Sequence, residues 1–340
     1  MSMTNGTNSS LTTIMTQRSE KILNQFKQTV VLGINNSELR SILLDVAKWR
    51  DMFRPTLASL SCEAVGGQPE KTEKAGLMFT LFAAGIGIHD DIIDKSEINH
   101  FKKTILGKYG LEKALLVGDL LIGKAWMMIG DIIPNAKIMT INKIIEIYGN
   151  LCIEMCEAEF METSCKQKIG NDLKYHEDIL WKAMAEFEAC SRIGAILGEG
   201  TEKEIHALGE FGRRLGFLGR LIDEVQDSRN WEGNLPHRIK YESLPLPIIF
   251  AAKSSKEKFC RINSIIMKSR ITGSLSKELL ELSIDSGAFK YILELAKKNN
   301  EEANRNLRIL DTSNAHNILS MIIESSYKTL ANFCIASDQS

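Results

Sequence analysis

The chain reads FTLFAAGIGIHDDIID over residues 79–94, an apolar run that ends in three aspartates. On a helix, Asp90 and Asp94 would lie one turn apart on the same face, with Asp91 beside them. Like charges this close repel each other, so the arrangement predicts a cation held among them. Carboxylate oxygens are typical ligands of Mg²⁺, which keeps several waters and also binds phosphate oxygens.

A second acidic segment repeats this spacing within LGFLGRLIDEVQD, at residues 215–227. Here Asp223, Glu224 and Asp227 occupy the corresponding positions. A single acidic cluster on a helix is usually a solvated face, but both clusters follow apolar residues, which a solvated face would not do. Two such clusters therefore indicate a diphosphate held by Mg²⁺ between two carboxylate walls.

Composition permits one substantial globular enzyme. The chain has 340 residues, of which 44% are hydrophobic and 25% charged, enough to bury a large core in one domain. Because 42 Lys and Arg oppose 43 Asp and Glu, nothing in the charge balance calls for nucleic acid.

Cysteine usage and hydropathy bear on the compartment. Seven cysteines make an odd count, and no secretory signal precedes them. Charges interrupt the apolar segments before they reach spanning length, as Asp119 and Lys124 do between residues 115 and 133. The sequence predicts a reduced, soluble, cytoplasmic protein without a transmembrane segment.

Helical periodicity dominates the chain, with only six prolines and no sustained alternation of period two. The predicted fold is all-α and single-domain over residues 18–335, after a polar N-terminal tail, residues 1–17, that is expected to be disordered. Helices are predicted near residues 18–33, 36–47, 52–65, 70–97, 111–132, 135–165, 171–198, 202–230, 243–255, 257–270, 275–284, 286–309 and 313–334.

Further motifs accompany the acidic segments. HDDIID is followed by GDLL at 118–121, and the second segment by SLPLP at 243–247, while Lys182 lies in a Tyr…Lys…Gly stretch at 175–194. In order, spacing and context these stretches resemble the trans-prenyl diphosphate synthases, the polyprenyl synthetase family. The resemblance runs from about residue 20 to residue 335, with Ala183 where the family often has threonine.

The resemblance implies a helical bundle of the isoprenoid synthase type that encloses a deep central pocket and is often a homodimer, with a heteromer as another option. It implies that Asp90, Asp94 and Asp223 act in catalysis by binding Mg²⁺ around an allylic prenyl diphosphate. Lys182 would donate to the same phosphate. The complete set of implied metal ligands is Asp90, Asp91, Asp94, Asp223, Glu224 and Asp227.

The chain departs from the family where elongating members bind a second substrate, isopentenyl diphosphate. Their Gly-Gly-Lys-Arg-x-Arg-Pro motif corresponds to WRDMFRP at 49–55, so Arg54 remains and Asp51 replaces the lysine. A charge reversal facing a diphosphate is hard to absorb. Ala83 stands at a family histidine, and Asn99 and His100 stand at an Arg-Arg pair.

Three residues are proposed to complete substrate binding alongside Arg54 and Lys182. Arg220 replaces a family glutamine and could supply a cation, and His100 is a candidate for a phosphate contact. Gly85, five residues before Asp90, is expected one turn deeper on the pocket side, where it is too small to block the pocket.

Three functions fit these residues. The preferred one is Mg²⁺-dependent transfer of a prenyl group to isopentenyl diphosphate or another acceptor. The alternative is a class I terpene cyclase that acts on one prenyl diphosphate, and the third is a non-catalytic subunit of a heteromeric synthase. Retention of both acidic clusters disfavours the third, because unused carboxylates would cost stability. Chain length, acceptor and oligomeric state are left open.

Overall fold

A computed structural model describes residues 4–99, 102–132, 138–170 and 172–335, with only the backbone described for residues 4–10. The chain divides into two compact units that are interleaved along the sequence. The first comprises Met1–Asn150, Glu186–Gly212 and Asn306–Ile322, and the second comprises Leu151–Ala185, Arg213–Arg305 and Ile323–Ser340. No single point in the chain separates the units, as expected from the uniform composition.

The described fold is all-α apart from one short β-hairpin, which confirms the predicted class. The hairpin pairs β1 (Ile98–Asn99) with β2 (Lys102–Lys103) in antiparallel register, and a 3-10 helix spans Pro69–Thr72. The α-helices are α1 Thr4–Thr29, α2 Ser37–Val46, α3 Phe53–Ala64, α4 Glu73–Ile93, α5 Ile105–Tyr109, α6 Leu111–Ile132, α7 Ile138–Thr163, α8 Leu173–Lys182, α9 Ala185–Leu197, α10 Glu202–Arg229, α11 Leu235–Tyr241, α12 Leu246–Ser254, α13 Lys256–Ile266, α14 Gly273–Asp285, α15 Ala288–Leu307 and α16 Asn314–Ile335.

Side-chain caps define several helix starts. The carboxylate of Asp172 accepts from the Tyr175 backbone N–H at the start of α8, and the Ser255 hydroxyl accepts from Lys258 at the start of α13. Such caps satisfy N–H groups that have no partner within the helix. Gly110 ends α5 with a φ of 82°, a conformation that glycine adopts without a Cβ clash.

In the first unit, α4 packs closely against α6 because glycines face each other across the contact. A Cβ on Gly85 would lie 2.9 Å from the Gly118 carbonyl oxygen, and a Cβ on Gly118 would lie 2.4 Å from the His89 ring. His89 Nε2 is 3.4 Å from the Leu115 carbonyl oxygen. His89 therefore buttresses the end of α4.

In the second unit, a buried apolar cluster joins α11, α12, α13 and α14. Ile248 and Ile249 of α12, Ile262 and Ile265 of α13, and Leu279 of α14 are completely buried. Burying side chains of this kind stabilises a fold by roughly 1.5–3 kcal/mol each. This cluster anchors the segment that follows the second acidic helix.

The structure differs from the predicted elements at four places. Helix α1 begins at Thr4, inside the stretch predicted to be a disordered tail, and Leu11 is buried. The predicted helix 171–198 breaks at residues 183–184, between α8 and α9. The hairpin after α4 with the short α5 that follows it, and the short α11, were not predicted, because elements of two to seven residues carry almost no periodicity.

Among the described residues, the segment Pro69–Ile93 is long and apolar enough to cross a membrane by length and composition alone. Buried side chains make up 61% of its apolar window. A helix at the core of a globular protein passes the same test, and α4 packs against α3 and α6 in this way.

Candidate active site

The first acidic cluster occupies the last turn of α4, in the first unit. Asp90 is exposed, Asp91 is half-buried, and Asp94 is the residue at which the helix ends. The C-terminal end of a helix carries partial negative charge, so three carboxylates here add to an already negative position. The three aspartates share one turn of the helix, and a cation would relieve their repulsion. Among the described residues, no three His, Cys, Asp or Glu side chains converge closely enough to hold a metal ion.

Asp91 shows the electrostatic consequence. Burial raises the pKa of its carboxyl to about 7, and the neighbouring charges of Asp90 and Asp94 contribute in the same direction. A carboxyl whose ionised form is this unfavourable gains from a nearby divalent cation.

Gly85 does not lie on the face that the sequence analysis assigned to it. Its missing Cβ points at α6, where it would be 2.8 Å from Cγ1 of Ile122. The placement beside a pocket is therefore corrected to a helix–helix contact. Gly87, three residues before Asp90, is exposed and has no heavy atom within 4 Å of its Cβ position, so it is the glycine with open space on the Asp90 face.

The second acidic cluster lies on α10, in the second unit, in a different setting. Asp223 is exposed, whereas Glu224 is only 1% exposed. Arg238 of α11, itself 2% exposed, donates to the carboxylates of both Glu224 and Asp227. The second oxygen of Glu224 accepts from the Leu246 backbone N–H at 2.6 Å.

Glu224 is therefore a structural residue, and its assignment as a metal ligand is corrected. Both its oxygens are engaged by buried donors, and releasing them would leave Arg238 buried without its partner. The Asp227 carboxylate is 27% exposed and is held by the same guanidinium. The corrected cluster leaves Asp223 as its exposed carboxylate.

The Asp223 carboxyl has a pKa raised to about 6. Exclusion of water by the surrounding protein is the main cause, the Arg220 guanidinium opposes it, and the negative charges of Asp227 and Glu224 add to it. The side chain nonetheless reaches solvent on its open side.

Arg220 is fixed beside Asp223 by acidic residues. Its guanidinium lies 3.8 Å from both the Glu162 and the Glu224 carboxylates and remains 26% exposed. Glu162 also accepts a hydrogen bond of 2.6 Å from Ser243. Burial works against ionisation of Glu162, but Arg220 and Arg238 more than offset it and lower its pKa.

Lys182 is the last residue of α8, where the chain turns into α9. Its ammonium donates to Glu157 at 2.7 Å, and both side chains are partly exposed, at 32% and 56%. Exposed pairs of this kind are worth little, so the ammonium can exchange its partner for another anion at small cost.

Arg54 sits in a buried cluster of charge in the first unit. Its guanidinium donates to Asp51 at 3.2 Å and to Glu186 at 2.7 Å, and the two carboxylates are only 3% and 4% exposed. The other oxygen of Asp51 accepts from the backbone N–H groups of Phe53 and Arg54 and thereby caps α3. Burial opposes the charge of Arg54, but Glu186 and Asp51 raise its pKa.

One predicted site residue, His100, lies outside the described residues. Other residues of the site were not predicted from the sequence. Arg238 and Glu186 were not singled out from the sequence, because a buried arginine or glutamate looks like any surface charge until its neighbours are known. The structure also places Glu162 against Arg220.

Comparison with solved structures identifies the fold of the chain. The chain superimposes with a TM-score of 0.84 on the geranylgeranyl pyrophosphate synthetase from Pyrococcus horikoshii Ot3, at 23% identity, covering 94% of this chain and 99% of that one. A polyprenyl synthase from Caulobacter crescentus CB15, complexed with calcium and isoprenyl diphosphate, gives a TM-score of 0.76 at 18% identity, covering 92% and 96%. The fold is that of the isoprenoid synthases.

Sequence comparison then identifies the family. The family model named polyprenyl synthetase matches residues 50–282, so this chain belongs to the polyprenyl synthetase family. The short chain isoprenyl diphosphate synthase of Methanothermobacter thermautotrophicus (strain Delta H) is 28% identical over 277 residues, covering 80% of this chain and 84% of that protein.

Membership of this family confirms the prediction of a prenyltransferase of isoprenoid biosynthesis. The named relatives are diphosphate synthases, and they give no support to the cyclase alternative. The resemblance to the polyprenyl synthetase family, which the acidic segments indicated, is thereby confirmed.

Proposed function

We propose that the chain ionises an allylic prenyl diphosphate in the presence of Mg²⁺ and transfers the prenyl group to an acceptor. The observation that carries this proposal is the pair of acidic helices within the family match, each with an exposed aspartate in an otherwise apolar or neutralised setting. Asp90, Asp91 and Asp94 supply the first set of oxygens, and Asp223 supplies the second.

These carboxylates fit a hard divalent cation. They present only oxygen, and the pKa values of Asp91 and Asp223 are raised chiefly by burial, which for Asp223 outweighs the opposing charge of Arg220. When bound, Mg²⁺ neutralises the negative charge that develops on the departing diphosphate. A relative's structure contains calcium with isoprenyl diphosphate, which supports a divalent cation at such a diphosphate.

The protein's own cations complete the site in this proposal. Lys182 exchanges its exposed Glu157 partner for a phosphate oxygen and donates to the leaving group. Arg220, held by Glu162 and Glu224, keeps part of its guanidinium exposed beside Asp223 and adds positive charge there.

The decisive experiment compares aspartates on the two acidic helices. Asp90→Ala and Asp223→Ala should each lower Mg²⁺-dependent release of pyrophosphate from farnesyl diphosphate by roughly 10²-fold or more, because each removes a preorganised electrostatic contact. Asp131→Ala, which removes an exposed aspartate at the far end of α6, is the matched control and should retain activity. Full activity in either test variant would contradict the ligand assignment.

We also propose that the chain forms a homodimer through an apolar stripe on each of two helices. On α7, Ile138, Ile145, Ile153 and Phe160 recur at spacings of seven or eight residues, which places them on one face, and they are 42–75% exposed. On α6, Leu116 and Met127 are 65% and 72% exposed at a spacing that also repeats one face. Exposed apolar surfaces of this length are typical of interfaces.

The oligomeric state can be measured by sedimentation equilibrium. The wild-type chain should sediment as a dimer, and Phe160→Glu should shift it to a monomer. Met267→Glu alters a side chain of similar exposure, 67%, that lies outside both helices, and it should leave the dimer intact. A monomeric wild-type chain would favour a heteromer instead, with the same stripe covered by a different subunit.

We propose a cytoplasmic location. All seven cysteines are free thiols in the structure, as a reducing compartment requires. Localisation of a tagged chain by cell fractionation would test this directly.

A further inference from the structure

Two glutamates one turn apart on α7 bind different cations in the second unit. Glu157 accepts from Lys182 at 2.7 Å, in the exposed pair described above. Glu154 accepts two parallel hydrogen bonds, of 2.8 and 3.1 Å, from Arg213 of α10, whose side chain is only 7% exposed. A buried pair with two hydrogen bonds fixes its geometry more firmly than a single exposed contact does. A rigid pair and an exchangeable pair therefore share one face of α7.

Arg213 also binds the end of α8. One of the two guanidinium nitrogens that reach Glu154 donates to the Trp181 carbonyl oxygen at 3.3 Å. Trp181 precedes the last residue of α8, so its carbonyl has no partner within the helix, although the Met184 N–H meets it in the turn that follows. A cation at this position also opposes the partial negative charge of the helix terminus. Arg213 is thus a cap for α8 that a distant helix supplies.

The side chain of Trp181 is held at the same place. The guanidinium carbons of Arg213 and Arg214 lie 5.7 and 5.3 Å from the centre of its ring, which is within the range of cation–π attraction. Phe217, one turn further along α10, meets the same ring edge-on at 5.6 Å between ring centres. Both the backbone and the side chain of the residue before Lys182 are therefore anchored to α10.

The position of Lys182 makes such an anchor important. Helix α8 ends at this residue, and residues 183–184 separate it from α9. Helix ends fray, and lysine carries its charge on a flexible four-carbon stem. A misplacement of about 1 Å at a reacting group can cost up to about 10²-fold in rate.

We infer that Arg213 is a positioning residue, which fixes the end of α8 so that the Lys182 ammonium reaches the diphosphate of the allylic substrate. This inference rests on the proposed function, since it concerns the lysine that donates to the leaving group. Because its guanidinium is buried against Glu154 and Trp181, Arg213 acts through Lys182 and not on the substrate. When Lys182 exchanges Glu157 for a phosphate oxygen, the Arg213 pair keeps the backbone in place, and only the lysine side chain moves.

The test is a double-mutant cycle that follows Mg²⁺-dependent pyrophosphate release from farnesyl diphosphate. Arg213→Met should lower kcat/KM at least about tenfold when Lys182 is present, because the lysine is no longer held in place. In a Lys182→Ala background the same substitution should change kcat/KM less than about twofold, since the group that it positions is already absent. A purely structural role of Arg213 would lower activity by the same factor in both backgrounds, and that result would overturn the inference.

Two milder variants decide the question if Arg213→Met does not fold. Arg213→Lys keeps a cation at the end of α8 but cannot form both hydrogen bonds to Glu154, so it should lose activity and lose less than Arg213→Met. Glu154→Gln removes the charge that orients the guanidinium, and its effect should also be larger when Lys182 is present. Equal effects of Glu154→Gln with and without Lys182 would contradict the inference.

The matched control is Arg18→Met. It breaks an arginine–glutamate pair of comparable exposure in the first unit, where Arg18 and Glu63 are 18% and 28% exposed. Any effect of this substitution on kcat/KM should be the same in the wild-type and Lys182→Ala backgrounds. Coupling of Arg18 to Lys182 as strong as that of Arg213 would overturn the specific role of Arg213.

Lys182→Ala alone separates this inference from the proposed function. Lowered pyrophosphate release in Lys182→Ala, with equal effects of Arg213→Met in the two backgrounds, would refute the inference and leave the proposed function standing. Unchanged release in Lys182→Ala would refute the phosphate contact of Lys182 and the inference with it. Absence of any release by the wild-type enzyme would refute the proposed function itself.

Discussion

The two acidic segments share a spacing in sequence and differ in structure. At the end of α4, Asp90, Asp91 and Asp94 reach solvent at least in part and crowd the negative end of a helix. On α10, Glu224 and Asp227 are held by the buried Arg238, and Asp223 remains exposed. The same pattern of carboxylates thus serves mainly as a candidate metal site in one helix and mainly as a structural ion network in the other.

The difference teaches that spacing alone does not assign a carboxylate to a metal. What decides is whether the protein itself supplies the opposite charge. Where it does so fully, the carboxylate is already satisfied, and where burial outweighs any opposite charge, the pKa of the carboxyl rises, as it does for Asp91 and Asp223.

The largest expected effect breaks the ion network of the second segment. Arg238→Met removes the cation that two carboxylates share and should lower the free energy of unfolding by about 3–5 kcal/mol, because buried negative charge loses its partner. Urea denaturation of the Mg²⁺-free protein measures this change.

Its matched control is Arg261→Met, which breaks an exposed pair with Glu278. That substitution should lower the free energy of unfolding far less than Arg238→Met, because solvent screens an exposed pair. Equal losses of unfolding free energy in the two variants would contradict a stabilising role for the Arg238 ion network.

A smaller effect concerns how stability depends on pH, and it tests the acidic segment at the end of α4. The pKa of Asp91 is about 7 in the folded chain against an ordinary value of 3.8. Between these values the folded state binds more protons at Asp91 than the unfolded state does, so the contribution of Asp91 to stability is most favourable below pH 4 and falls as pH rises to about 7. Asp91→Asn should remove this loss and be more stable than wild type at pH 8 in EDTA.

Thermal melts across this pH range provide the measurement. The advantage of Asp91→Asn should vanish toward pH 4, where the wild-type carboxyl is protonated, and excess Mg²⁺ should stabilise the wild type at pH 8 by binding the folded state. Asp131→Asn is the control and should track wild type throughout. An advantage that is constant with pH would show that the gain does not come from ionisation of Asp91.

The smallest expected effect distinguishes two faces of α4. Gly85→Ala forces a methyl group against Ile122 and should cost about 1–3 kcal/mol, as overpacking does. Gly87→Ala places the same methyl group in open space and should gain about 0.5–1 kcal/mol, the difference in helix propensity. Chemical denaturation of this pair would test the corrected placement, and equal changes would contradict it.

Local signals were sufficient for most of the helical framework. The long periodic helices α4, α6, α7, α10 and α16 lie close to their predicted spans, because the apolar face of a long helix repeats every 3.6 residues and is legible in sequence. The hairpin, α11 and the break after Lys182 carried no such signal. The start of α1 was missed because polar residues at its N-terminus resemble a tail.

Within the candidate site, the sequence located the carboxylates and the lysine. It could not show which of them are paired with charges inside the protein and which are open to a ligand. Asp51 was recognised as a charge reversal, yet nothing in the sequence indicated that it caps α3 or pairs with Arg54. Glu186 lies 132 positions further along the chain than Arg54, and only folding brings the two together.

By itself, the sequence determined the all-α class, the two acidic helices and the family, since each rests on periodicity or on residues close together in the chain. Only the tertiary structure decided which charges are satisfied. Ion pairing and burial depend on neighbours from distant segments, such as Arg238 beside Glu224 and Glu186 beside Arg54. A charged side chain has the same letter whether water or another charge surrounds it, and its surroundings set both its pKa and its availability to a ligand.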